Sequence, residues 1–373
     1  MSVYVSNHKE YIFYAGSLRP GGGLTVAKTM IESIASIPEN KITVFTGAKD
    51  ASSNLQELFK SFANVEEKTF LQNKSPLLRY FYSKIYFLLF TLFKTKTLLI
   101  SVNYYIPCWC KIFVYHINLL SFMSSKQNSF GFKIKRFDAM IACKMATINV
   151  FESVYLLETA QEFVGYVRNP RHLYIGIDNI FFTQCLGGSW RDNRLPNMLA
   201  VTSVQPHKDN KTLVDTVAAL VEKEPNIEWK LVVAGGQSKD QWRSLQQYAK
   251  TKNVAELVDF LGPVSKSQLA DLMQNSLCLL STSLVESFCM VAIESMAAGC
   301  PVVVTGETSM PESVGNAAVI AESKSSDSFS DAVLGFYLNE QVRVNFLKRG
   351  SKRAVLFSSD LFKNNLLGLL NEV

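Results

Sequence analysis

Apolar residues along this chain gather in short runs, many rich in Val, Ile and Leu. Longer stretches separate them, with apolar positions recurring every three or four residues. The short runs predict strands at 11–15, 42–46, 97–102, 112–116, 146–150 and 173–177 in the first half. In the second half they predict strands at 198–204, 229–234, 258–261, 277–282, 302–305 and 317–321. The stretches between them predict helices. This alternation argues for parallel sheets with helices on both faces, hence an α/β chain of two doubly wound domains. Such sheets bind ligands beyond the carboxyl ends of their strands, so a shared ligand is expected in a cleft between the two.

Length agrees with this division, because 373 residues fit two ordinary domains better than one. A hydrophobic content of 48%, with 25 Phe and 14 Tyr, supplies two cores and excludes a disordered chain. The cysteines, at 108, 110, 143, 185, 278, 289 and 300, are odd in number and scattered. They include no Cys-x-x-Cys pair, so neither a disulfide framework nor a zinc site is expected. The start, MSVYVSNHKEYIF, lacks the basic region and apolar core of a signal peptide, and a cytoplasmic location is expected.

Charge changes the picture in one place. Between Phe70 and Phe137 there is no Asp or Glu. The same stretch carries Lys74, Arg79, Lys84, Lys94, Lys96, Lys111, Lys126, Lys133, Lys135 and Arg136 among many aromatics. Its longest uncharged runs, 97–110 and 112–125, fall short of the roughly 18 residues of a spanning helix. A basic face beside large apolar side chains predicts peripheral contact of residues 74–136 with an anionic membrane surface. Nucleic acid is not expected as a partner: no recognised motif occurs, and the rest of the chain carries a slight acidic excess.

The most informative stretch is 284–305, LVESFCMVAIESMAAGCPVVVT. The pattern reads strand (277–282), polar loop (283–287), helix (290–298) and strand (302–305), with Gly299 where a helix would stop. Glu286 falls just before the helix and Glu294 inside it, a span of about 12 Å if helical. The free N–H groups and positive dipole end at Phe288, Cys289, Met290 and Val291 suit a phosphate. A carboxylate on either side suits hydroxyls flanking a diphosphate.

These residues resemble the signature of retaining glycosyltransferases of family 4, E-[GS]-F-G-[LM]-x-x-x-E-[AS]-M-A-x-G-x-P-V-V. Here it stands as Glu286-Ser287-Phe288-Cys289-Met290, Glu294-Ser295-Met296-Ala297-Ala298-Gly299 and Pro301-Val302-Val303, with Cys289 in place of the usual Gly. The resemblance implies the GT-B fold: two Rossmann-like domains facing across a cleft. The segment GIDNIFF, 176–182, resembles the family's N-G-V-D junction. It implies an acceptor-binding domain at 1–176 and a donor-binding domain at 177–356. The last segment looks like the family's closing helix, with 357–373 crossing back onto the first domain.

Further residues take roles from the same resemblance. Thr202-Ser203-Val204-Gln205-Pro206-His207-Lys208 resembles G-[RS]-x-x-x-x-K. It implies that Lys208 contacts the diphosphate, with Ser203 where an Arg often stands. Consecutive glycines after the first strand, including Gly22 and Gly23, let backbone amides approach a phosphate or sugar. The resemblance makes them a loop closing over donor and acceptor. His116 ends the fourth strand. Read alone it is a satisfied histidine near a sheet edge; the family places a His there to position the sugar or acceptor. Gly235 and Gly236 predict a tight turn. The segment with Gly262 and Val264 resembles the part bordering the nucleotide base. No Asp-x-Asp occurs, and His8, His116, His172 and His207 lack metal-ligand spacing. No metal or other cofactor is therefore expected, with Lys208 and helix amides offsetting the leaving group's charge.

The expected function is retaining transfer of a hexose-type sugar from a UDP- or GDP-sugar to a lipid-linked saccharide. Glu286, Lys208 and His116 form the reaction centre, and Glu294 grips the ribose. The expected setting is bacterial surface polysaccharide synthesis, O-antigen or capsule, on the inner face of the plasma membrane. The alternatives are a sugar-nucleotide epimerase on the same fold and a non-catalytic sugar-nucleotide binding subunit of a transferase complex.

Overall fold

The computed structural model describes residues 10–16, 18, 21–47, 49–70, 76–123, 130–182, 195–236 and 239–373. The chain divides into two compact units, one running through Gly176 and taking in Ser359–Val373, the other Ile177–Ser358.

The first unit runs β1 (Glu10–Ala15), α1 (Gly22–Ala35), β2 (Lys41–Thr46), α2 (Lys49–Ser61), β3 (Val65–Thr69), α3 (Pro76–Phe90), β4 (Leu98–Val102), β5 (Lys111–His116), α4 (Phe130–Met145), β6 (Ile148–Phe151), α5 (Val154–Val164) and β7 (Pro170–His172). Its sheet has the order β3-β2-β1-β4-β5-β6-β7, and every pairing is parallel. Phe13, Phe45, Phe87, Phe113 and Tyr115 fill its core.

The second unit runs β8 (Asn197–Val201), α6 (Asn210–Lys223), β9 (Lys230–Ala234), α7 (Arg243–Thr251), β10 (Val258–Gly262), α8 (Lys266–Asn275), β11 (Cys278–Ser281), α9 (Met290–Ala297), β12 (Val302–Thr305), α10 (Met310–Val314), β13 (Val319–Ala321), α11 (Ser326–Leu338) and α12 (Glu340–Val355). Its parallel sheet has the order β10-β9-β8-β11-β12-β13. Among its described residues Trp229, Trp242, Phe181 and Phe329 are the largest fully buried side chains. The last helix, α13 (Ser359–Asn371), packs on α1 in the first unit. In each sheet the winding direction reverses once, between β1 and β4 and between β8 and β11. Those reversals open the crevices where such sheets take ligands.

Three expectations change. The strand β3, VEEKT, escapes the apolar pattern because only Val65 is buried on this edge strand. No strand forms over 173–177. The edge strand lies at Pro170–His172, and Leu173, Ile175 and Ile177 are buried without pairing as a strand. The strand expected over 198–204 stops at Val201, and Thr202 and Ser203 begin the loop that follows.

The acid-free stretch also differs from a plain basic face. Lys84 turns inward and bonds to Asp138 and to the Tyr105 carbonyl, and Arg79 donates to the Gly47 carbonyl. Lys74 and Lys126 lie outside the described residues, as do His8 and Cys185. Among the described residues no helix is long and apolar enough to cross a membrane.

Candidate functional site

The reversal between β8 and β11 is built from two loops, residues 202–209 after β8 and 282–289 after β11. They are stitched together. The Thr282 hydroxyl donates to the carbonyls of Lys208 (2.9 Å) and Asp209 (3.1 Å), and the Leu284 N–H donates to the His207 carbonyl (2.7 Å). A short 3-10 turn, Pro206–Lys208, then aims the lysine across the crevice. Lys208 Nζ meets Glu286 Oε1 at 2.5 Å, with side chains 21% and 17% exposed. A third loop, after β12, holds Glu286 from behind. Its N–H donates to Thr308 Oγ1 (3.0 Å), and its carbonyl accepts from Thr308 (3.0 Å) and Ser309 (2.8 Å).

The helix expected at 290–298 is α9, and Glu294 lies on it. The Glu294 carboxyl is partly buried and has no hydrogen-bond partner among the described residues. Burial pushes its pKa up to about 7, with Lys266 lowering it and Asp178 raising it. Those two neighbours form an ion pair of their own at 2.8 Å, linking the first turn of α8 to the segment after Ile177. Glu294 therefore ionises near neutrality with its oxygens uncommitted, suited to accepting hydroxyls.

The start of α9 is already partly engaged. The Cys289 N–H donates to Ser313 Oγ (3.3 Å) and the Met290 N–H to the Phe288 carbonyl (3.1 Å). Phe288 is buried, its ring 5.3 Å from that of Phe357, so its side chain serves packing. Cys289 has φ −89°, a conformation open to any residue, and its buried thiol is pushed up to about 12. The fold thus accommodates a side chain where the signature has Gly. Val291 is half-buried on the first turn.

The remaining candidates of the second unit fall at the same carboxyl end of its sheet. Ser203 lies in the loop after β8, its carbonyl accepting from Asn210 Nδ2 (2.7 Å). Gly262 ends β10 and accepts from the Gly235 N–H (2.8 Å), while Val264 precedes the capping box that opens α8. Gly235, at φ +106°, makes a turn that only glycine fits, since a Cβ there would lie 2.3 Å from the Thr202 carbonyl oxygen.

In the first unit, Gly22 and Gly23 form the opening turn of α1 rather than a free loop, with Gly21 as its N-cap at φ +131°. They follow β1, at that sheet's own reversal. His116 is the last residue of β5 and is 1% exposed. The Asn149 amide nitrogen donates to the carbonyls of Cys143 and Arg168, which leaves Asn149 Oδ1 to accept from His116 Nε2 at 2.9 Å. Its ring stacks on Phe151, centroids 4.6 Å apart, and burial lowers its pKa to about 4. His116 is therefore neutral, with Nε2 committed to the core.

Sequence reasoning missed the residues that brace the site: Thr282, Thr308, Ser309, Asp178 and Lys266. Asp178 stands in the quoted junction segment. The hydroxyl residues carried no signal, because side-chain bonds to distant carbonyls leave no spacing pattern. Among the described residues no group of three or more His, Cys, Asp or Glu could hold a metal ion.

Residues 191–353 match the family model described as glycosyl transferases group 1. The D-inositol 3-phosphate glycosyltransferase of Streptomyces scabiei is 35% identical over 116 residues, 30% of this chain and 26% of that protein. The chain thus spans about a quarter of the length of curated relatives of this kind. Among solved structures, sucrose-phosphate synthase from Thermosynechococcus elongatus superposes with a TM-score of 0.78 at 15% identity, covering 98% of this chain and 99% of that one. Anabaena HepE in complex with UDP-glucose gives 0.76 at 15% identity, covering 98% and 100%. By fold the chain is of the GT-B type, and residues 191–353 carry the match to the glycosyl transferases group 1 family.

Proposed function

We propose that the protein is a retaining glycosyltransferase that moves a hexose-type sugar from a UDP- or GDP-sugar to a lipid-linked saccharide without a metal. The observation that carries this reading is the Lys208–Glu286 contact at the β8/β11 reversal. A sugar diphosphate presents an anionic oxygen and a sugar hydroxyl side by side. Lys208 has three N–H donors, so one can remain on Glu286 while others take phosphate oxygens. Glu286 then accepts from a sugar hydroxyl, and Glu294 accepts from the ribose hydroxyls.

In the proposed reaction the bond from the anomeric carbon to the β-phosphate oxygen breaks, and the electron pair leaves with the diphosphate. The acceptor hydroxyl forms the new bond on the same face, and its proton passes to the leaving phosphate. Charge grows on the phosphate as that bond breaks, so Lys208 acts most strongly where it lowers the barrier. His116 is neutral and inside the first unit, which suits positioning rather than proton transfer.

The exposed apolar and basic surface of the first unit supports a lipid-linked acceptor at the inner membrane face, as in O-antigen or capsule assembly. A second reading, a soluble phosphorylated polyol as acceptor, is favoured by the inositol-phosphate enzymes among the relatives. Incubation with a panel of nucleotide sugars, with lipid-linked saccharides and inositol phosphate as acceptors, tests both by product mass. Transfer to lipid supports the first and transfer to inositol phosphate the second. An isomerised donor, or binding without turnover, contradicts both.

A further inference from the structure

Helix α3 carries its polarity reversed. The side turned into the first unit bears Tyr80, Ser83 and Lys84 along with Phe87. Asp138 of α4, its side chain 1% exposed, gathers them: it accepts from the Tyr80 hydroxyl (2.8 Å), Lys84 Nζ and the Tyr105 N–H (2.9 Å). That network fixes the rotation of α3. The opposite side presents Phe81, Ile85, Leu88 and Leu89 to solvent, and the turn that follows the helix adds Leu92 and Phe93, with Ile85 63%, Leu89 69% and Phe93 93% exposed. Steps of three and four residues align the four helical ones in one stripe, and Leu92 and Phe93 carry the exposed apolar surface past the helix end. Singly exposed apolar residues are ordinary, but a continuous stripe of large ones marks a contact surface.

Charge identifies the partner. The neighbouring α4 exposes Lys133, Lys135, Phe137 and Lys144. The sole acid within α3 and α4 is Asp138, and it is buried. We propose that α3 lies flat in the interface of an anionic lipid bilayer, with its stripe among the acyl chains and the α4 lysines at the headgroups. A second copy of the chain fits less well, because a twofold contact through this stripe would bring like-charged lysines together. The proposal deepens the membrane part of the function given above and is independent of its transfer chemistry.

Flotation of the full-length protein with phosphatidylglycerol-containing vesicles, against phosphatidylcholine vesicles, tests it. The wild type is expected to float with the anionic vesicles. The triple variant Ile85→Ser, Leu89→Ser, Phe93→Ser should partition about ten-fold or more weakly, with an unchanged thermal transition and unchanged nucleotide-sugar binding. Lys133→Gln with Lys144→Gln should lower the preference for anionic lipid. Should the triple variant unfold, Phe93→Ser alone carries the test, and a measurable loss of flotation is expected. Equal flotation of wild type and stripe variants, or no flotation of the wild type at low salt, overturns the proposal. A dimer in light scattering that the stripe variant splits, without change in flotation, overturns it in favour of a second copy. Donor binding is read separately, so failure here leaves the transfer reading standing.

Discussion

Lys208 and Glu286 stand 78 positions apart in the chain and meet at 2.5 Å between Nζ and Oε1. Each belongs to a loop at the sheet's reversal, and Thr282, Thr308 and Ser309 brace those loops. A cation and an acceptor held this way can read the two neighbouring parts of a sugar diphosphate. Lys208→Ala is expected to lower kcat by about 10²–10³-fold, in line with removal of one preorganised electrostatic donor. Steady-state kinetics with the preferred donor check this.

Glu294 predicts a pH dependence with opposite signs for binding and stability. Its pKa rises from 4.5 to about 7 in the folded protein. The fold thus favours the protonated form: its benefit is full below pH 4.5, fades between 4.5 and 7, and above 7 the charged carboxylate opposes folding. Glu294→Gln should therefore raise Tm at pH 8 and leave it unchanged near pH 4.5, each kcal/mol appearing as about 2–4 °C. Donor binding runs the other way, because the carboxylate is the better acceptor. Wild-type affinity should weaken as pH falls through 7, and the variant should bind weakly at every pH. Calorimetric titrations and thermal scans from pH 4.5 to 8 measure both.

Much of this fold can be read from residue pattern, because buried parallel strands such as VVVT, 302–305, are continuous apolar runs bounded by turn signals. Two of the three failures are at sheet edges. The strand Val65–Thr69 carries Glu66, Glu67 and Lys68 because one side of it has no neighbouring strand. Leu173, Ile175 and Ile177 imitate a strand through their apolar spacing, and are buried while the chain leaves the sheet. Within the site, the resemblance to the family signature singled out Glu286, Glu294 and Lys208, but no pattern reveals that two of them touch. Nor does it reveal that Cys289 and Met290 spend their N–H groups on Ser313 and Phe288. The reversal of α3 was hidden for a like reason. Lys84 reads as solvated until Asp138, 54 positions away, is placed beside it.

Thr282 tests whether loop bracing matters to turnover. Its hydroxyl serves two carbonyls at once, and Thr282→Val keeps the shape while removing the donor. A stability loss of about 1–2 kcal/mol is expected. The accompanying fall in kcat should exceed the change in KM, because Lys208 and Glu286 lose alignment rather than identity. Denaturant unfolding and steady-state kinetics supply the numbers.

Asp138 tests what fixes α3. It is buried against Lys84, whose own pKa is lowered by desolvation despite the ion pair. Asp138→Ala leaves that lysine without its counter-charge and should cost about 3–5 kcal/mol. Lys84→Met together with Asp138→Leu should recover most of the loss, since an apolar pair avoids burying charge. Unfolding curves of the three proteins decide the point.

The most direct test of the central claim is calorimetric titration of wild type, Lys208→Ala and Glu286→Gln with the preferred nucleotide sugar and with its nucleoside diphosphate alone. Lys208→Ala is expected to weaken both ligands, whereas Glu286→Gln weakens the nucleotide sugar and leaves the diphosphate unchanged. Wild-type affinity of both variants for both ligands would contradict a donor site at this pair.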